Sequence, residues 1–100
     1  KLEGSEKFQR LLAGVPDTAG MKSGHVTLKP GESIGEHTTE AREETIIILE
    51  GQAEFYCEGK SLFNAQEKSI LYVPPHTTHD IKNNGNSLLR YVYVVVPIRA

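Results

Sequence analysis

Apolar and polar residues alternate along much of this chain with a period of two, which is typical of β-strands and not of helices. The segment from Gln52 to Glu58 shows it most clearly, because Ala53, Phe55 and Cys57 share one face and polar side chains occupy the other. No stretch carries a sustained helical repeat. Short strands separated by turn residues every 8–12 positions or so predict a β-sandwich or barrel.

Two longer strands are apolar on both faces. Residues 44–50 place Glu44, Ile46 and Ile48 on one side, while residues 88–96 place Tyr91 and Tyr93 together. Strands of this kind are expected to be covered on both sides. For the last strand the sequence does not decide whether the tyrosines or the alternating valines face the interior.

Turn residues divide the rest of the chain into shorter elements. We predict further strands at His25–Lys29, Ser33–Thr38, Ser61–Ala65, Ser69–Val73 and Thr78–Lys82. The sequence Glu58-Gly59-Lys60 predicts a tight hairpin turn, with glycine supplying a positive φ. Residues 8–12 fit either one turn of helix or a short strand, and residues 14–24 indicate turns with at most a short strand.

Length and composition favour one soluble domain, residues 1–100, with residues 1–7 expected to be mobile. The net charge is −2 without a basic run, which argues against a nucleic-acid or anionic-membrane partner. The single cysteine, Cys57, rules out an internal disulfide and favours a cytoplasmic setting. No apolar run approaches the ~20 residues of a membrane span, and no signal-peptide core is evident.

Candidate chemistry is concentrated in two stretches. The first, residues 31–51, contains Gly31, His37, Glu44 and Gly51, and an acidic loop separates the histidine from the carboxylate. The second, residues 67–83, contains Pro74, which begins a Pro-Pro turn, followed by His79 and Asn83.

In residue type and spacing these stretches resemble the two motifs of the cupin superfamily. The first cupin motif reads Gly, five residues, His-x-His, three or four residues, Glu, six residues, Gly. The second ends in Pro-x-Gly, two residues, His, three residues, Asn. This chain departs from the pattern at Thr39, where a second histidine is usual, and at His76, where a glycine is usual. The opening glycine of the second motif is also missing.

The resemblance implies an all-β fold, the double-stranded β-helix or jelly-roll barrel of cupins. It also implies metal ligands at His37, Glu44 and His79. Two imidazoles and one carboxylate suit one divalent transition metal, either Fe, Mn, Ni, Cu or Zn, and leave open positions for water or substrate. The alternative is that this lineage lost its metal and kept the pocket.

The expected pocket is lined by Thr39, Ile46 and Ile48, with His76 at its rim as the candidate general acid or base. His76 could also substitute as a metal ligand, three residues before His79, but the Pro-Pro turn before it favours an ordinary residue at the barrel mouth that makes a backbone hydrogen bond. Arg90 and Lys29 are the candidate anchors for a substrate carboxylate, although neither is clearly placed for that role.

Two classes of function remain open. The chain could be a metal-dependent enzyme of the dioxygenase, isomerase or decarboxylase class acting on a small polar substrate. It could instead be a binding module for a small molecule, with or without metal. We also expect a homodimer, because a small domain with an apolar outer face on residues 45–49 gains from burying it. Light scattering that gave the mass of one chain, near 11.1 kDa, would contradict the dimer.

Overall fold

The computed structural model describes residues 6–16 and 18–98, and within them the regular structure is entirely β. No described segment forms a helix long and apolar enough to cross a membrane. The strands are β1 (Phe8–Ala13), β2 (Lys22–Leu28), β3 (His37–Thr38), β4 (Arg42–Glu50), β5 (Gln52–Cys57), β6 (Lys60–Gln66), β7 (Ile70–Val73), β8 (Thr78–Lys82) and β9 (Leu89–Pro97).

These strands form two antiparallel sheets that pack face to face. One sheet has the order β1-β2-β9-β4-β7 and the other β3-β8-β5-β6, so strands distant in sequence become neighbours. Apolar side chains from the two inner faces make one core. Its buried members are Val26, Leu28, Ile46, Ile48, Ala53, Phe55, Ala65, Val73, Ile81, Leu89 and Tyr91. The all-β, double-stranded β-helix prediction is confirmed.

The two open questions near the start of the chain are resolved by pairing. Residues 8–13 form a strand because they pair antiparallel with β2. β2 begins at Lys22, three residues before the predicted His25, and continues without a break through Gly24. Glycine fits there because the Tyr93 ring of the neighbouring strand lies across it, so that an added Cβ would stand 2.5 Å from the phenol oxygen. The prediction of mobility for residues 1–7 falls mostly on residues 1–5, which lie outside the described part.

The predicted turn between β5 and β6 is present. Glu58 and Gly59 have φ values of 52° and 78°, and two successive positive φ angles match the turn type that suits a hairpin. The strand predicted over residues 33–38 is shorter than expected. Only His37–Thr38 is strand, with an isolated bridge from Ser33 to Lys82, and Gly35 at φ 103° interrupts the extended backbone between them.

The two long strands bury one face more completely than the other. On β4, Ile46 and Ile48 are fully buried, whereas Leu49 on the opposite face is 40% exposed. On the edge strand β7, Ile70 is 69% exposed. The structure therefore leaves apolar side chains on the outer face of this sheet in contact with water. That observation is consistent with a partner, but the homodimer stays a prediction.

Candidate metal centre

Three strands bring the predicted metal ligands to one point between the sheets. His37 on β3 and His79 on β8 are direct cross-strand partners, so their side chains share a face. Glu44 reaches them from β4 in the opposite sheet, and its Oε1 lies 3.0 Å from Nε2 of His79. One ligand atom from each of the three residues lies within 4.8 Å of the other two. The sequence prediction thus named three side chains that the fold does bring together.

Backbone carbonyls orient both imidazole rings. Nδ1 of His37 lies 2.8 Å from the Gly35 carbonyl oxygen, and Nδ1 of His79 lies 3.1 Å from that of Thr77. A carbonyl oxygen can only accept, so each Nδ1 carries the proton and donates it. Nε2 of each ring is then available as a ligand atom, which is the usual way in which outer contacts fix a metal-binding histidine.

The His79 side chain is held most firmly of the three. Its ring is almost fully buried and stacks against Phe55, with ring centroids 6.0 Å apart. Burial by itself lowers the pKa of His79. Hydrogen bonds to the Glu44 carboxylate and the Thr77 carbonyl outweigh that effect and raise the pKa above its ordinary value. Without a metal, Nε2 of His79 and Oε1 of Glu44 are joined by a hydrogen bond of 3.0 Å.

This donor set fits a divalent transition metal. Two imidazole nitrogens and one carboxylate oxygen are the ligands that Fe(II), Mn, Ni, Cu and Zn accept, and the arrangement leaves positions open on the cavity side. Glu44 is 7% exposed. A carboxylate buried to this degree needs a cation or hydrogen bonds to compensate it, and a bound metal ion would supply the stronger compensation.

Thr39 lines the cavity, but its hydroxyl is engaged elsewhere. Oγ1 donates to the Pro74 carbonyl oxygen at 2.7 Å and accepts from the Thr77 amide at 3.0 Å. These two bonds tie the segment before β4 to the loop before β8, and they secure the position of His79 at the start of that strand. Thr39 therefore has a structural role at the position where the first cupin motif usually has its second histidine.

Three other predicted site residues lie away from the cavity wall. Ile46 and Ile48 are fully buried members of the core and are not among the residues that line the cavity. His76 is exposed in a left-handed turn, φ 54°, and its backbone amide donates to the Glu40 carbonyl oxygen. His76 is not among the residues that line the cavity, so the structure does not support it as the acid or base of the site.

A cavity of about 440 Å³ opens above the three ligands. This is a normal size for a small-molecule site. Tyr91 and Tyr93 both line it, which answers the question of which face of β9 is internal. Three cationic residues also line it, Arg10, Lys22 and Arg42, and the sequence reasoning missed all three. It had named Arg90 and Lys29, which are absent from the lining.

The last residue of the second motif, Asn83, makes structural hydrogen bonds and does not line the cavity. Asn83 is fully buried; its Nδ2 donates to the carbonyl oxygens of Leu28 and Ser87, and its Oδ1 accepts from the Gly85 amide. The side chain thus ties β2 to the turn that leads into β9. These hydrogen bonds give a structural reason for an asparagine at this position of the motif.

The family model described as "Cupin domain" matches residues 24–96. The chain belongs to the cupin family. The matched region includes both ligand-bearing stretches and all strands from β3 to β8.

Among curated proteins, this cupin is 29% identical over 86 residues to the tetracenomycin polyketide synthase protein TcmJ of Streptomyces glaucescens, covering 83% of this chain and 57% of that protein. It is 30% identical over 69 residues to an oxalate-binding protein of Thermotoga maritima, covering 69% and 56% respectively. The cupin chain thus spans little more than half the length of these relatives.

A solved structure of similar fold is the Cnp3 cupin domain of Schizosaccharomyces pombe. It has a TM-score of 0.82 and 21% sequence identity, and the match covers 98% of this chain and 69% of that one. At this identity the likeness concerns the fold alone.

Proposed function

We propose that this cupin binds one divalent transition metal through His37, Glu44 and His79 and acts on a small polar molecule in the cavity above it. The observation that carries the proposal is the convergence of three ligand atoms within 4.8 Å of one another at a cavity of small-molecule size. The carbonyl contacts that free Nε2 of both rings support it.

The protein's own groups would prepare the site for chemistry. When bound, the metal would supply a Lewis acid or a centre for activating dioxygen. The Glu44 carboxylate would offset part of the ion's charge, and the carbonyls of Gly35 and Thr77 would hold the two rings in place. Burial raises the pKa of Tyr91, with Glu44 adding to the effect, so its hydroxyl keeps its proton at neutral pH.

The possible classes of reaction follow from the three protein ligands. Three protein ligands leave room for a bidentate substrate together with water or dioxygen, which fits oxidative cleavage as well as isomerisation or decarboxylation. The names of the relatives, a polyketide synthase protein and an oxalate-binding protein, agree with a small oxygen-rich organic molecule.

A second candidate is a binding cupin that is metal-free or does not turn its ligand over. One observation favours it: the 3.0 Å bond between Glu44 and His79 satisfies the buried carboxylate without any metal. In its metal-free form such a protein would bind its ligand in the cavity equally well in the presence of a chelator.

Metal analysis tests the metal site on which the first candidate depends. The protein would be purified without chelator or affinity histidines and its metal content measured, beside His37→Ala and His76→Ala. We expect about one metal per chain, lost in His37→Ala and retained in His76→Ala, since only the former removes a ligand. No metal in the purified protein, and no thermal stabilisation by Mn, Fe, Ni, Cu or Zn, would refute the metal site.

Turnover is tested next on the metal-loaded protein. Oxygen uptake and product formation would be measured with diols, catechols and keto acids. Turnover that a chelator abolishes supports the enzyme, whereas binding that a chelator leaves unchanged supports the metal-free binding cupin.

A further inference from the structure

The mouth of the cavity carries an excess of positive charge. Arg10 on β1, Lys22 on β2 and Arg42 at the start of β4 all line it, and we call these three residues the cationic rim. Among the described lining residues, the carboxylates are Glu36 and Glu44, and Glu44 is already committed to His79 or to a metal. Three cations therefore face one remaining carboxylate.

This excess is local, because the chain as a whole has a net charge of −2. A divalent ion held by one carboxylate and two neutral imidazoles keeps a net positive charge, so a loaded site would make the cavity more cationic still. Arg42 approaches the Glu40 carboxylate only at 3.9 Å, in an exposed pair that is worth little. A concave site with one sign of charge attracts ligands of the opposite sign.

The phenol of Tyr93 also lines this cavity. The Tyr93 ring lies across Gly24, which leaves room for it, and the phenol is half-buried. Burial raises the pKa of Tyr93, the positive charge of Arg10 lowers it, and the carboxylate of Glu44 raises it. The raised pKa keeps the hydroxyl protonated at neutral pH. Tyr93, the cationic rim and the metal ligands all line this one cavity.

The remaining lining is apolar, with Phe8, Leu12, Ile34 and Val95 among its members. A cationic rim beside apolar walls suits an organic anion better than an inorganic one, because the body of the ligand would contact the apolar side chains. Arginine matches the planar geometry of carboxylate and phosphate particularly well.

We propose that the ligand of this cavity is a small organic anion whose carboxylate or phosphate ester is received by Arg10, Lys22 and Arg42, with the hydroxyl of Tyr93 as an additional donor. The inference rests on the proposed function for the identity of the site. It adds the charge class of the substrate and the residues that select it.

Calorimetry on the protein with its own metal tests the proposal. The probes are benzoate and succinate, their uncharged counterparts benzamide and succinamide, and phenyl phosphate, which distinguishes a preference for phosphate from one for carboxylate. We expect at least one anion to bind about tenfold more tightly than its uncharged counterpart. Arg10→Gln and Lys22→Gln should each weaken that anion about tenfold, since a hydrogen bond to a charged group contributes on that order.

Lys29→Gln is the matched control, because it removes the same charge from an exposed position outside the cavity. It should leave anion affinity unchanged. Metal content is measured on every variant and should stay at the wild-type value, since none of these residues is a predicted ligand.

The outcomes separate this inference from the proposed function. If metal is retained but amides bind as well as anions, or no probe binds, the inference is wrong and the metal site stands. If anions bind but neither Arg10→Gln nor Lys22→Gln weakens them, these residues do not receive the anion and the inference is wrong. If the purified protein holds no metal, the proposed function fails, and the same titrations on the metal-free protein still support or overturn the cationic rim.

Discussion

Glu44→Gln is expected to lower the affinity of the protein for divalent metal by at least about 100-fold. Changes to outer-shell partners of metal ligands already cost 10–100-fold, and this substitution removes the charge of a ligand itself. Glutamine keeps the length of the side chain and an oxygen, so the fold should be preserved. Competition against a chromophoric chelator at neutral pH measures the change directly.

Glu43→Gln is the matched control for this experiment. Glu43 is the neighbouring residue on β4 but is exposed on the opposite face, where its carboxylate accepts a hydrogen bond from Tyr72 at 2.9 Å. The same chemical change there should leave metal affinity at its wild-type value. Equal losses in the two variants, or none in Glu44→Gln, would show that Glu44 is not a ligand.

Gly51→Ala is expected to reduce the free energy of unfolding by about 2–5 kcal/mol. Gly51 has a φ of 84°, where an alanine is strained by roughly 1–2 kcal/mol. An added Cβ would also collide with the Leu88 carbonyl oxygen and approach Cα of Leu89, both of them backbone atoms. Overpacking of this kind adds about 1–3 kcal/mol. Urea unfolding followed by circular dichroism gives the difference.

Gly59→Ala separates the two causes. Gly59 has a similar φ of 78° but nothing within 4 Å of an added Cβ, so this variant carries the conformational cost without the collision. We expect a loss of about 1–2 kcal/mol there, less than at Gly51. If the two variants lose the same stability, the contact with Leu88 does not matter and the glycine of the first motif is needed for its φ alone.

The sequence predicts most clearly the elements whose formation depends on residues that are close together along the chain. The alternation of residues 52–58 and the Gly59 turn predict β5 and its hairpin because each depends on neighbours along the chain. The spacing of His37, Glu44 and His79 predicts the ligand set through the family resemblance, and the fold places those three together.

The predictions that did not hold concern contacts between distant strands. Ile46 and Ile48 share the face of Glu44, yet they are fully buried in the core and do not line the cavity. β2 begins as early as Lys22 because it pairs along its whole length with β9, which is distant in sequence and lays Tyr93 across Gly24. Neither effect can be predicted from the alternation of apolar and polar residues along these strands.

By itself, the sequence determined the all-β class, most of the strands and the candidate metal ligands, because period, turn chemistry and motif spacing are properties of the chain. Only the tertiary structure decided which face of β9 is internal, since that strand is apolar on both sides. It also brought Arg10, Lys22 and Arg42 to one cavity. Arg10 and Lys22 come from β1 and β2, and strand pairing within one sheet places them beside β9 and β4. Arg42 is different, because it lies two residues before Glu44 on β4 and shares its face.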